Sequence, residues 1–200
     1  MESMTLTLNQ VKANLKTVDF SKFEKPARNK GGRGQLLELA LGISNSSSLL
    51  DCVDGELKSF TQGESIAVTQ LKHILPEIMG DNFKTFSESK VGLKLRNTLY
   101  VGFDRQNNYL GSVNLSEATN PEHYAMLEED FEYIGHEIQM RWIDGQMLST
   151  ITGLNGLLQI RTKDSKDKKG NYHPIYYNGD LLSNKSYAFY LCGKFGRELL

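Results

Sequence analysis

Two hundred residues, 39% hydrophobic and 24% charged with a formal net charge of −1, leave room for one domain with a real core and no strong overall pull toward a polyanion. No apolar run approaches the ~18 residues of a membrane span. Cys52 and Cys192 are too few for a disulfide framework. Met1 to Leu8 lack the basic start and apolar core of a secretory signal, so the expected location is cytoplasmic.

Charge is unevenly spread. Lys12 to Arg33 holds seven basic residues against two acidic, and Asn155 to Leu200 eight against four. Glu117 to Asp144 between them holds eight acidic residues and one arginine. Basic ends and an acidic middle suit a protein with a basic cleft and an acidic back, or simple surface variation.

In chain order, Val11, Leu15 and Val18 mark a short helix, and Lys25 to Gly34 a loop broken by Pro26 and Gly31-Gly32. Gln35 to Leu41 reads as a helix stopped by Gly42, with Glu38 the one charge in an apolar run. Leu49 to Phe60 reads as a strand, a turn at Asp54-Gly55 and a second strand. Ile66 to Leu71 is a strand, followed by a short helical or irregular stretch to Met79. Leu99 to Phe103 and Leu110 to Val113 form an antiparallel pair around Asp104–Asn108. Asn120-Pro121 opens a helix running towards Arg141. Leu154 to Arg161 is a strand, Lys163 to Gly170 a polar loop, Ala188 to Leu191 a final strand and Phe195 to Leu200 a terminal helix. The whole is one mixed α/β domain over residues 1–200, its ends candidates for a separate lobe.

Chemistry concentrates on Asp51-x4-Glu56-x-Lys58. Glu56 and Lys58, two apart on a strand, leave the same face, and Leu57 points into the core. Two carboxylates and a lysine suit hydrolysis of a phosphodiester, where Mg2+ needs oxygen ligands and the developing charge needs a cation. Glu38, costly if left unpaired in an apolar setting, is a candidate for the same centre. Asp54 competes with Asp51 as a ligand, but its place in the turn favours Asp51. The chance occurrence of so short a motif on a solvated hairpin is high, and the four scattered histidines suggest no zinc site or triad.

The run Lys30-Gly31-Gly32-Arg33-Gly34-Gln35-Leu36-Leu37-Glu38 resembles the Lys-Gly-x-x-Gly-Gln-Leu-Leu-Glu opening of the MutH mismatch-repair and Sau3AI-type restriction endonucleases. Asp51 with Gly55-Glu56-Leu57-Lys58-Ser59 is similar to that family's Asp…Val-Glu-Leu-Lys-Thr, at a shorter spacing than in MutH. Val91 to Arg96 before Leu99-Tyr100-Val101, Leu158 to Lys163, and Phe189-Tyr190-Leu191 continue the likeness in order. The resemblance implies a restriction-endonuclease-like α/β core, a central mixed sheet flanked by helices, forming a DNA-binding cleft.

It also implies Asp51, Glu56, Lys58, Glu38 and Lys94 as the catalytic group. The metal ligands would be Asp51, Glu56 and the Leu57 backbone carbonyl, with Asp54 the alternative. Mg2+ is the implied cofactor, with Mn2+ a substitute. Lys30, Arg33, Arg96, Arg161, Lys163, Tyr190 and Lys194 would contact double-stranded DNA. The family's usual target is GATC. Departures at the catalytic pair and in the loop after Arg161 favour a type II restriction enzyme, a monomer or transient dimer on DNA. The alternatives are a nicking repair enzyme stimulated by a MutL-type partner, and a DNA-binding module without chemistry.

Overall fold

The computed structural model describes residues 6–23, 32–44, 47–81, 83–163 and 166–200. The chain is a mixed α/β protein. Its elements are α1 (Leu8–Leu15), α2 (Gly32–Ala40), β1 (Glu56–Thr61), β2 (Ile66–Gln70), α3 (Leu75–Ile78), α4 (Lys90–Leu95), β3 (Asn97–Phe103) and β4 (Tyr109–Ser116), followed by α5 (Pro121–Ile143), β5 (Ile151–Thr152), β6 (Leu158–Thr162), β7 (Ile175–Tyr177), β8 (Asp180–Ser183), β9 (Tyr187–Leu191) and α6 (Gly193–Glu198). No helix among the described residues is long and apolar enough to cross a membrane. Contacts divide the chain into two compact units, one of Met1–Ile66, Lys94–Pro121 and Gly193–Leu200, the other of Ala67–Leu93 and Glu122–Cys192.

The first unit is built on a mixed sheet in the order β1-β3-β4, with β1 parallel and β4 antiparallel to β3. Alternation sends Leu57, Leu99, Val101 and Phe103 to one face, where Leu8, Val11 and Leu15 of α1 and Leu37 of α2 close the core. Thr7 and Gln10 form a capping box that starts α1. Gly42, at φ 84°, lets the Ile43 N–H return to the Glu38 carbonyl at 2.8 Å and ends α2. On the opposite face Phe60, Tyr100 and Phe195 pack edge to face.

The second unit holds a sheet in the order β2-β9-β6-β5 and the hairpin β7–β8. Tyr124, Leu127, Phe131, Ile134 and Ile138 form the buried stripe of α5 at spacings of three and four. Asp130 lies within that stripe, fully buried, and accepts the Asn155, Leu157 and Leu158 N–H groups at 2.6, 2.8 and 2.8 Å. It satisfies donors that the turn before β6 leaves unpaired. Asn178 and Gly179, both at positive φ, make the tight turn of β7–β8.

Several expectations change. Residues 47–55 form no strand: one isolated bridge, Cys52 to Gly55, is all that remains of the expected hairpin. Val53 is 62% exposed, so the segment has no buried face to drive pairing. The partner of β1 is β3, in parallel, with Glu56 opposite Thr98 and Lys58 opposite Tyr100. The apolar run of α2 is largely outside, since Leu39 is 60% exposed and Leu37 carries the packing. The strand expected from Leu154 begins at Leu158, because Asp130 holds the preceding residues in a turn. The expectations for Lys30 and most of its glycine-flanked loop lie outside the described residues.

Candidate active site

Asp51, Glu56, Lys58, Glu38 and Lys94 all belong to the first unit. β1 is an edge strand, and its first residue, Glu56, is 1% exposed. Its Oε1 accepts both the Lys58 and the Lys94 ammonium at 2.7 Å. Its Oε2 accepts the Asp51 N–H at 3.3 Å. A carboxylate so deeply placed needs such company, because an uncompensated buried charge is costly.

The Asp51 Oδ2 accepts the Leu57 N–H at 3.0 Å. That amide therefore points along the open edge of β1, away from β3, and the Leu57 carbonyl leaves the strand on the same side. Burial pushes the Asp51 carboxyl above its ordinary range, and the Glu56 charge pushes further, with Lys58 offsetting part. Glu38 behaves alike, raised first by burial and then by Asp51. Crowded carboxylates that repel one another are the environment in which a bound cation stabilises most. Beneath them Cys52 is buried, its thiol pushed up to about 12 by burial and by four surrounding carboxylates, Asp51 foremost.

Asp54 is drawn elsewhere. Its Oδ1 accepts the Leu8 N–H at 2.7 Å, at the positive end of α1. Of the two candidates, Asp51 is the one tied to Glu56: its backbone N–H donates to the Glu56 carboxylate, and its own carboxylate accepts the N–H of the next residue, Leu57. Two further residues support the site, Gly55, read from sequence only as part of a turn, and Thr98, which carried no sequence signal. Gly55 must be glycine: a Cβ there would collide with the Asn97 carbonyl oxygen and the Leu8 side chain. Thr98, buried opposite Glu56, donates its hydroxyl to the Lys94 carbonyl at 2.8 Å and ties down the last turn of α4.

The expected DNA contacts divide. The Arg33 guanidinium is turned inward, donating to Thr61 Oγ1 and Asn107 Oδ1 at 3.1 Å each and lying 4.5 Å from the Phe103 ring centroid. Arg96 pairs with Glu117 at 3.2 Å, and Lys194 lies 3.9 Å from Glu198 on an exposed turn of α6. In the second unit, Gln159, Arg161, Ala188 and Tyr190 share one face of β6 and β9, and Arg161 lies 4.9 Å over the Tyr190 ring. Lys163 is half-buried, its N–H bonded to the Ser186 carbonyl at 2.8 Å.

Among the described residues no group of three or more His, Cys, Asp or Glu side chains stands as a metal cage. Mg2+ is commonly held by one or two carboxylates together with waters and substrate phosphate, and Asp51 and Glu56 are two carboxylates of that chemistry. No protein-family model matches this sequence, and no curated protein matches it either.

Proposed function

We propose that this protein is a metal-dependent DNA endonuclease. One observation carries the proposal: the buried Glu56 carboxylate, flanked by Asp51, receives two lysine ammoniums from β1 and α4. A purely structural role would be served as well or better by apolar packing, so charges retained at this depth point to chemistry.

Asp51, Glu56 and the Leu57 carbonyl would hold Mg2+, or Mn2+ in its place. When bound, the ion polarises a phosphate oxygen and makes water nucleophilic near neutral pH. Lys58 orients the attacking water and stabilises the charge that develops. Lys94 meets the scissile phosphate, and Glu38 adds negative charge that favours cation entry. The restriction-endonuclease-like core belongs to this proposal, with β1-β3-β4 as its central sheet. Arg161 and Tyr190 would approach base edges, and Arg96, Lys163, Lys194 and Lys30 the phosphates of double-stranded DNA.

The specific activity proposed is that of a type II restriction enzyme cutting at GATC or a related site, acting as a monomer or transient dimer. Supercoiled plasmid is the substrate for the test. Linear product with Mg2+ and no helper protein supports restriction, whereas weak nicking stimulated by a MutL-type protein supports repair. Glu56→Ala should abolish cleavage and keep duplex binding in Ca2+. Persistent cleavage by that variant would overturn the assignment, and the absence of any cleavage by the parent protein would leave a binding module.

A further inference from the structure

Both lysines of the site converge on the same oxygen, Glu56 Oε1, each at 2.7 Å. Glu56 is 1% exposed, and the Lys58 and Lys94 side chains are 20% and 16% exposed, so little water reaches the cluster. Lys58 is tied to Glu56 by the strand itself, two residues on and on the same face. Lys94 comes from another element, α4, 38 positions along the chain. A long, flexible side chain carries its ammonium, while Thr98 holds its backbone carbonyl.

We infer that Lys94 and a divalent cation compete for Glu56, so that the free protein binds the cation poorly until DNA draws Lys94 away. This rests on the nuclease proposal and adds regulation to its site. An oxygen already accepting two ammoniums has no lone pair directed at a further cation, and the positive charges repel its approach. A phosphodiester brings a negative charge that offers the Lys94 ammonium an alternative partner. Moving Lys94 from carboxylate to phosphate returns Glu56 Oε1 to the cation. Cation and DNA then bind with positive coupling, and by linkage each raises the affinity of the other by the same factor. A nuclease wired this way holds its metal weakly away from substrate.

The test is calcium binding by isothermal titration calorimetry, on the full chain and on Lys94→Met, each alone and with a saturating duplex containing GATC. Without DNA, Lys94→Met is expected to bind Ca2+ at least about fivefold more tightly than the parent. With the duplex present, the two proteins should agree within about twofold, because DNA has already displaced Lys94 in the parent. Equal affinities in the absence of DNA overturn the competition. An unchanged advantage of the variant with DNA also overturns it, since that is plain charge repulsion without displacement. If both proteins bind duplex but neither binds Ca2+ with it, the metal-dependent reading itself fails. Failure of both to bind any duplex removes the DNA reading, and the coupling with it.

Discussion

Asp51 reaches six residues along the chain to hold the Leu57 N–H at 3.0 Å, which places its carboxylate at the open edge of β1 beside Glu56. Asn at this position keeps an oxygen for that N–H and loses the charge. Asp51→Asn is therefore expected to lower Mg2+-dependent cleavage by at least about 10²-fold with the fold intact. Its effect on stability runs the other way. Burial and the Glu56 charge raise the carboxyl pKa in the folded state, so the folded protein binds this proton more tightly than the unfolded chain. The resulting stability is present below the unfolded value and is lost as pH rises through the folded one. In chelator at pH 7, Asp51→Asn should thus melt above the parent, and the gap should close as pH falls below about 4. Scanning calorimetry across that range checks it, and a lower Tm for the variant at pH 7 contradicts it.

The two lysines on Glu56 back each other up. Removing one leaves the other 2.7 Å from the same oxygen, whereas removing both strands a buried carboxylate. Lys58→Met and Lys94→Met are each expected to cost roughly 1 kcal/mol, and the double variant about 3–5 kcal/mol, more than their sum. Urea unfolding of the four proteins closes the cycle. Simple additivity would mean that each lysine acts on Glu56 independently.

The strand of Glu56 and Lys58 was legible because its side-chain alternation is local, and so was the stop of α2 at Gly42. The partner of that strand was not. Asp54-Gly55 reads as a hairpin turn, yet β1 joins β3 some forty positions away, a choice made by burial of Leu57 against Leu99 and the helices. The same non-locality governs the surroundings of Asp54: its carboxylate accepts the Leu8 N–H at the start of α1, which spacing alone does not reveal. Asn178-Gly179 is different. It carried a plain local hairpin signal between two short apolar runs, Ile175–Tyr177 and Leu181-Leu182, but lies outside the elements expected from sequence. Lys94 could be placed in the site only by resemblance, since the α4 turn that delivers it depends on buried Thr98.

Arg33 separates a structural cation from a DNA contact. Its guanidinium donates to Thr61 and Asn107 and stacks on Phe103, and burial lowers its pKa from the usual arginine value. Arg33→Met should cost about 2 kcal/mol through the lost hydrogen bonds and cation–π contact. The slope of DNA affinity against salt should stay as it is, because no phosphate contact is lost. Urea unfolding and binding at several salt concentrations give the two readouts. A shallower slope with unchanged stability would return Arg33 to the DNA surface.

Asp130 organises the second unit as Glu56 does the first, but with backbone donors in place of lysines. Its two oxygens take three N–H groups from the turn that leads into β6, the strand carrying Arg161. Gly153 passes so close that a Cβ there would collide with the Asp130 side chain. An amide at 130 turns one acceptor into a donor facing an N–H, so Asp130→Asn should cost about 2–4 kcal/mol. Gly153→Ala should cost about 1–3 kcal/mol by forcing the turn outward. Both residues belong to the second unit, whereas the Glu56 cluster is built within the first. Both variants are therefore expected to retain Mg2+-dependent chemistry below their lowered melting temperatures, with cleavage measured at 15 °C. Loss of cleavage in a variant still folded by circular dichroism would show that the geometry of this turn matters to the reaction as well as to the fold.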